Sequence, residues 1–250
     1  MAVVDGGEGN GDRGPSRQDL PIHGGLILVS GPSRSGKSRW AEHLADTSDM
    51  PVTYLATGAD RPGDGAWQHR LLLHRQRRPS HWTTLEVGGE LETALEQFKS
   101  KTLGASALTQ GQRESSLTIP IPAASRPQDC STVPSMAYGD AGPSSANPAP
   151  LLLIDSLGTW LAHHLDLEES AWHERQDRLL AALDQQRSRV VLVCEEVGWG
   201  VVPPTAIGGL FRDRSGSLQQ RLMQQATAAW LVVQGRALNL MALGEPVPPA

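Results

Sequence analysis

Leu26-Ile-Leu-Val-Ser30 runs straight into Gly31-Pro32-Ser33-Arg34-Ser35-Gly36-Lys37-Ser38, and the fold turns on this junction. The first five residues form an apolar run of strand length with glycines on both sides, which suits a strand buried on both faces. The next eight match G-x-x-x-x-G-K-[ST] at every position. Glycines let the backbone curl into a nest of N–H groups aimed at phosphate oxygens, and the positive end of the following helix adds to the attraction. In this reading Gly31, Pro32, Ser33, Arg34, Ser35 and Gly36 make the nest. Lys37 reaches the β- and γ-phosphates, and the Ser38 hydroxyl ligates Mg²⁺. Pro32 stands where small flexible residues are commoner, but a loop position with no required N–H tolerates proline. A nucleoside triphosphate is the expected ligand.

Outward from this junction the same alternation continues on both sides of a long interruption. A helix is expected from Lys37 to about Ala45, and a strand rich in β-formers over residues 51–56. Ala66 to Arg77 reads as a helix, with Trp67, Leu71 and His74 at i, i+4 and i+7. Trp82 to Val87 alternates like a strand, and Glu90 to Phe98 is helical. After the interruption, Leu151-Leu-Leu-Ile154 is a buried strand ending at Asp155, followed by a helix through Trp160 and Leu165. Ala171 to Arg187 is an amphipathic helix and Val190 to Cys194 a buried strand. Ser217 to Ala228 is helical, and Trp230-Leu-Val-Val233 opens a terminal strand or hairpin reaching Leu240. Apolar strands separated by helices predict an α/β fold. It is a single P-loop NTPase domain with a largely parallel sheet, helices on both faces and a C-terminal hairpin-like strand pair.

Two stretches stand outside this pattern. Residues 1–24 are acidic and Gly-rich without a periodic apolar face, and read as a disordered extension. Residues 101–150 hold 19 Pro, Gly or Ser and only six charged residues. They read as a low-complexity insertion in a surface connection, where loop-closure cost grows slowly with length. The domain is therefore 25–250, interrupted at about 101–150.

Composition excludes several classes. No apolar run reaches the roughly 18 residues a transmembrane helix needs, and residues 1–24 lack the apolar core of a secretory signal. Cys130 and Cys194 make neither a disulfide framework nor a Cys-rich metal site, so a reducing, cytoplasmic setting is the default. A net charge of −5 argues against a general nucleic-acid binder.

Asp155, at the C-terminal end of an apolar strand, sits where a Walker-B acid belongs and would hold Mg²⁺ directly or through water. The competing reading is an N-cap for the helix beginning near Ser156. Arg70, His74, Arg75, Arg77 and Arg78 form a basic stretch in an otherwise acidic chain. A neutral imidazole is a good nucleophile near pH 7 and can accept a nucleotidyl group as a phosphoramidate, with guanidiniums holding the phosphates. The bland alternative is a solvated basic face. His69 is expected to face away from His74, and His81 precedes the strand at Trp82. His163-His164, late in a helix, suits a structural role beside the helix dipole. No histidine spacing suggests zinc.

Taken in order, the motifs resemble a known family. They are the phosphate loop, Tyr54-Leu-Ala-Thr57, Arg70-x3-His74-x3-Arg78-Pro79-x2-Trp82-x3-Glu86, Leu152-Leu-Ile-Asp155-Ser-Leu-Gly-Thr-Trp160, Glu196-Val-Gly-Trp-Gly-Val-Val-Pro203, Phe211-Arg-Asp213 and Gln220-Arg-Leu222. Over about 24–98 and 151–240 the chain is similar to the bifunctional adenosylcobinamide kinase/adenosylcobinamide-phosphate guanylyltransferases of cobalamin biosynthesis. The resemblance implies a RecA-like P-loop fold and two reactions. A nucleoside triphosphate, ATP or GTP, phosphorylates the aminopropanol hydroxyl of adenosylcobinamide. GTP then guanylylates a histidine, and the GMP passes to adenosylcobinamide phosphate, giving adenosylcobinamide-GDP. By motif the guanylylated histidine corresponds to His74. Nucleotide contacts carry over to the phosphate loop, Thr57, Arg75, Gln76, Arg77, Arg78, Glu86 and Asp155, and a homotrimer is implied. For His74 to reach the α-phosphorus, its helix must fold over the phosphate loop. Glu196 is either a metal-linked carboxylate or base, or a turn cap; Arg212-Asp213 reads as a surface ion pair. Three other readings share the phosphate loop: a simple P-loop small-molecule kinase without a covalent histidine, a non-enzymatic nucleotide-dependent switch, and a guanylyltransferase alone, with the phosphate supplied by another enzyme.

Overall fold

A computed structural model describes residues 24–58, 63–99, 149–200 and 205–248. The extension and the insertion, with Cys130, therefore lie almost wholly outside the described residues, as do Val201 to Pro203 and the side chain of Arg70. Seven strands form one sheet: β1 (Leu26–Gly31), β2 (Val52–Ala56), β3 (Thr83–Glu86), β4 (Leu151–Asp155), β5 (Val190–Glu195), β6 (Ala226–Val233) and β7 (Arg236–Asn239). Their order is β3-β2-β4-β5-β1-β6-β7. The first six are parallel, and β7 turns back antiparallel on β6 as the terminal hairpin. One strand, β5, separates β1, which feeds the phosphate loop, from β4, which ends in Asp155. This is the RecA-like arrangement.

β1, β2, β4 and β5 are buried almost throughout because both faces are covered, whereas β3, at the sheet edge, is exposed along its length. With a side-chain period of two, Leu28, Leu152, Ile154 and Leu192 face one way. They pack with Trp160, Trp172, Leu179, Leu183, Leu218 and Leu222. Ile27, Val29, Leu151, Leu153, Val191 and Val193 face the other way, against Ala41, Leu44, Tyr54 and Trp82. Each such side chain contributes about 1.5–3 kcal/mol on burial. The helices are α1 (Lys37–Asp46), α2 (Gly65–Arg77), α3 (91–99), α4 (Leu157–Ala162), α5 (Glu169–Asp184), α6 (Ala206–Gln225) and a single turn, α7 (Leu240–Leu243).

Two helices differ from expectation. α4 stops at Ala162 and does not continue through Leu165. The buried Arg214 guanidinium donates to the carbonyls of His164 at 3.0 Å and Leu167 at 2.6 Å, so a side chain satisfies carbonyls in the segment just past the helix end. α6 begins eleven residues before Ser217, at Ala206, with the Thr205 hydroxyl accepting from Gly208 N–H at 3.2 Å as an N-cap. Its Gly208-Gly209 pair disguised this start, since glycine is a poor helix former. The helix ends at Gln225, and Ala226 to Ala228 belong to β6, where Ala228 pairs with Ile27.

Candidate active site

Gly31, Ala56, Glu86, Asp155 and Glu195 all lie at the C-terminal ends of parallel strands, the edge where ligands of open α/β sheets bind. There the phosphate loop bends from β1 into α1. At Gly31 a Cβ would stand 2.3 Å from the Val232 carbonyl oxygen and 2.7 Å from Ser35 Oγ, so only glycine fits. Lys37 folds back over the loop, its Nζ donating to the Pro32 carbonyl at 3.4 Å. Above the loop opens a cavity of about 450 Å³, lined by residues 33–39 and, from α2, by Ala66, His69, Leu73, His74 and Arg77. Its charged lining is entirely basic, which suits a polyphosphate.

α2 starts where the Asp64 side chain accepts from Trp67 N–H at 2.9 Å. It brings His74 Nδ1 to 3.5 Å from Asp155 Oδ2 and 3.3 Å from an Arg77 guanidinium nitrogen. These contacts select opposite tautomers. With the proton on Nδ1 shared with Asp155, the Nε2 lone pair is free. Arg77 is itself held by both carboxylate oxygens of Glu42, at 3.0 and 3.3 Å. Tyr54 donates its hydroxyl to Asp155 Oδ2 at 2.7 Å, and the Arg78 guanidinium lies 3.6 Å over the Tyr54 ring. Burial and the Asp155 charge push the Tyr54 phenol well above its ordinary pKa, so it remains a donor. Burial alone would raise the Asp155 carboxyl. His74, through its hydrogen bond and charge, and the hydroxyls of Tyr54 and Ser38 outweigh it and hold Asp155 below its usual value.

Ser156, not Asp155, takes the N-cap of α4; its N–H donates to the Thr159 hydroxyl at 3.2 Å. Asp155 is thus released from capping and faces the loop. An ionised carboxylate in hydrogen-bond contact with the Ser38 hydroxyl fits a hard divalent cation. Among the described residues no cluster of three or more His, Cys, Asp or Glu could hold a metal by itself. Phosphate oxygens would have to complete any coordination.

The remaining expected residues divide. Thr57 is fully buried, donating to the Ser156 carbonyl and accepting from Ser156 N–H, both at 2.7 Å. It braces the segment that carries Asp155 and does not line the cavity. Arg75 and Glu86 pair with each other at 3.2 Å in solvent, and Gln76 is exposed. Gly31, Pro32, Arg75, Gln76, Arg78 and Glu86 are outside the lining. His69 departs from expectation: it lines the same cavity as His74. Five residues place the two about 140° apart around a helix, and the cavity is wide enough to take both. His163 and His164 sit just past α4, bound to the carbonyls of Thr57 and Gly89 at 3.1 Å each. Arg212 and Asp213 form an exposed ion pair at 2.9 Å.

Sequence reasoning passed over Tyr54 as a catalytic neighbour, Glu42 and Glu195. Glu42 is four residues beyond Ser38 on α1, so helix periodicity alone placed both on one face. Glu195 ends β5 next to the candidate Glu196. It binds the Ser156 hydroxyl and accepts from Gly158 N–H at 2.7 Å. Burial pushes its carboxyl above the ordinary range. A Cβ on Gly158 would come within 2.4 Å of Glu195 Oε2, so the helix start and the carboxylate are fitted to each other.

No helix among the described residues is long and apolar enough to cross a membrane. The sequence profile of the cobinamide kinase / cobinamide phosphate guanyltransferase family matches residues 27–109 and 120–240. Bifunctional adenosylcobalamin biosynthesis protein CobP of Pseudomonas aeruginosa is 29% identical over 88% of this chain and 98% of its own length. The CobU protein of Salmonella typhimurium is 30% identical over 86% and 99%, and that of Escherichia coli 28% identical over 86% and 99%. The flagellar accessory protein FlaH of Methanocaldococcus jannaschii superposes only loosely. Its TM-score is 0.38 at 14% identity, covering 89% of this chain and 82% of FlaH. With a profile that spans most of the chain and relatives covered nearly end to end, the chain belongs to the cobinamide kinase / cobinamide phosphate guanyltransferase family.

Proposed function

We propose that His74 carries GMP between GTP and the phosphorylated corrin substrate. The chain is the adenosylcobinamide kinase and adenosylcobinamide-phosphate guanylyltransferase of cobalamin biosynthesis. In the kinase reaction the aminopropanol hydroxyl of adenosylcobinamide attacks the γ-phosphorus of ATP or GTP, and the nucleoside diphosphate leaves. In the transferase reaction His74 Nε2 forms a bond to the α-phosphorus of GTP, the bond to the bridging oxygen breaks, and diphosphate departs with the electron pair. The Nδ1 proton stays on the ring, its charge offset by Asp155. A phosphate oxygen of adenosylcobinamide phosphate then attacks the same phosphorus. The P–N bond breaks, and His74 is regenerated with adenosylcobinamide-GDP.

The observation that carries this reading is the position of His74, in the wall of the phosphate-loop cavity with Nδ1 facing both Asp155 and Arg77; the Asp155 contact supports the tautomer whose Nε2 is the nucleophile. Lys37 and Arg77 hold phosphate oxygens whose charge grows as the leaving group departs. Tyr54 keeps Asp155 aimed at the ring. Asp155 and Ser38 would hold Mg²⁺, which when bound neutralises phosphate charge. Arg75, Arg78, Thr57 and Glu86 act one step back, by fixing α2 and the end of β4, and Gln76 stands exposed beside them. The protein works as one 25–250 domain in the cytoplasm, as a homotrimer, with 1–24 and 101–150 as appendages outside the chemistry.

The test is covalent labelling. Protein is incubated with Mg²⁺ and GTP labelled at the α-phosphate, denatured, and compared with His74→Ala and with a γ-labelled control. Acid-labile, alkali-stable label from the α-position alone, absent in the variant, is the expected result. Wild-type protein that binds GTP yet takes up no α-label overturns the covalent carrier and leaves a simple kinase.

A further inference from the structure

The corrin substrate is far larger than the phosphate cavity, so it must rest on surface next to the phosphate loop while its hydroxyl tail reaches in. We infer that Trp199, with Ile207, is that resting surface and packs against the face of the corrin macrocycle. The inference builds on the family's substrate, with the macrocycle as its occupant.

Chain geometry brings Trp199 to the loop. Glu195 is the register partner of Gly31, and Glu196 N–H donates to the Gly31 carbonyl at 2.9 Å. Three residues further on, Trp199 stands at most about 11 Å from that bond. It is 59% exposed, between Gly198 and Gly200, at both of which an added Cβ would meet nothing within 4 Å. A tryptophan on an open glycine-flanked segment contributes little to the core. The other six are partly or fully buried. Ile207, 58% exposed, stands in the first turn of α6. One turn on, Phe211 shares its helix face, and its ring lies 3.3 Å from where a Cβ on Gly158 would be. That face of α6 therefore looks over the start of α4, next to Asp155.

The chemistry matches the occupant. A macrocycle with a broad apolar face and amide-bearing edges is well served by a flat aromatic ring and an aliphatic neighbour. The cavity itself, lined by Arg34, Lys37, Arg39 and Arg77, is built for phosphate and offers only Leu73 as a large apolar side chain.

The experiment separates the two substrates. The kinase reaction is followed with saturating ATP and varied adenosylcobinamide for wild type, Trp199→Ala, Trp199→Phe and the double variant Trp199→Ala/Ile207→Ala. His74 labelling from α-labelled GTP, which needs no corrin, is measured beside it. Trp199→Ala is expected to raise the KM for adenosylcobinamide about tenfold, equivalent to about 1.4 kcal/mol. The KM for ATP, the kcat and the GTP labelling stay near wild type, and Trp199→Phe restores most of the loss. An unchanged corrin KM in the double variant overturns the proposal. So does a loss of GTP labelling parallel to the loss of corrin binding, which would mean that Trp199 supports the fold. Absence of labelling in the wild type would instead strike the His74 carrier, because the kinase KM does not depend on it.

Discussion

The two walls of the phosphate cavity are held in place by different forces. α1 is anchored from below: Ala41, Leu44 and Ala45 are buried against Ile27, Val29, Val191 and Val193. α2, which brings His74, buries none of its described side chains and leaves Leu72 and Leu73 in solvent. Apart from the half-buried Trp67 and Leu71, which lie against Gly58, its position rests on polar links: His74 to Asp155, Arg77 to Glu42, Arg75 to Glu86, and Arg78 over Tyr54. Burial is short-ranged and indifferent to salt, whereas exposed ion pairs weaken as ionic strength rises. The phosphate-loop wall is therefore set once by the fold, and the His74 wall by contacts that can be traded one at a time.

Substitutions can break or sharpen this contrast. The largest effect should come from Lys37→Ala, which is expected to lower both the kinase and the guanylylation rate by roughly three orders of magnitude. Its thermal midpoint should hardly move, since the one hydrogen bond of Lys37 among the described residues is a long one to the Pro32 carbonyl; steady-state rates and calorimetry check the pair of statements. Leu153→Ala, in the buried wall, should cost about 2–5 kcal/mol in denaturant unfolding. A loss under 1 kcal/mol would deny that burial fixes this half.

Glu42→Gln removes the carboxylate that braces Arg77 and should slow α-label uptake about fivefold, near the 1 kcal/mol ceiling of a partly exposed pair. Wild-type labelling should decline with added salt towards the variant's rate, while kinase activity changes less. Equal salt sensitivity of both activities would erase the distinction between the walls.

A smaller effect concerns Glu92, on the buried side of α3. Burial lifts its carboxyl above the ordinary value against the pull of Arg175 and Trp160. The folded protein thus holds that proton more tightly than the unfolded chain. Stability falls as pH rises from the ordinary carboxylate value through the raised one, and the contribution is flat above it. Glu92→Gln should flatten the thermal midpoint against pH in that window; an unchanged slope refutes the assignment. Last, Leu72→Ser on the exposed face of α2 should shift stability by no more than about 0.5 kcal/mol.

Much of the fold was legible because its inner strands are buried on both faces and so read as unbroken apolar runs. Leu151 to Ile154 and Val190 to Cys194 were found for that reason. α6 was found only in its second half, because Gly208 and Gly209 hide a start that Thr205 caps. The end of α4 depended on Arg214, some fifty residues away. In the candidate site, local patterns pointed to the phosphate loop, Asp155 and His74, which the fold brings side by side. They did not expose His69 as a wall of the same cavity, nor the service of Tyr54 and Glu195 to Asp155 and Ser156.

By itself the amino-acid sequence determined that this chain makes a phosphate nest between a strand and a helix, alternates strand and helix around it, and offers a histidine among arginines. Those are local properties: glycine spacing, apolar period and charge within a few residues. Only the tertiary structure decided which side chains meet. It inserted β5 between β1 and β4, laid α2 over the loop, and left Arg75 and Glu86 to each other in solvent. The physical reason is that contacts across the sheet edge depend on strand order and helix placement, which arise from packing the whole core and not from any one segment.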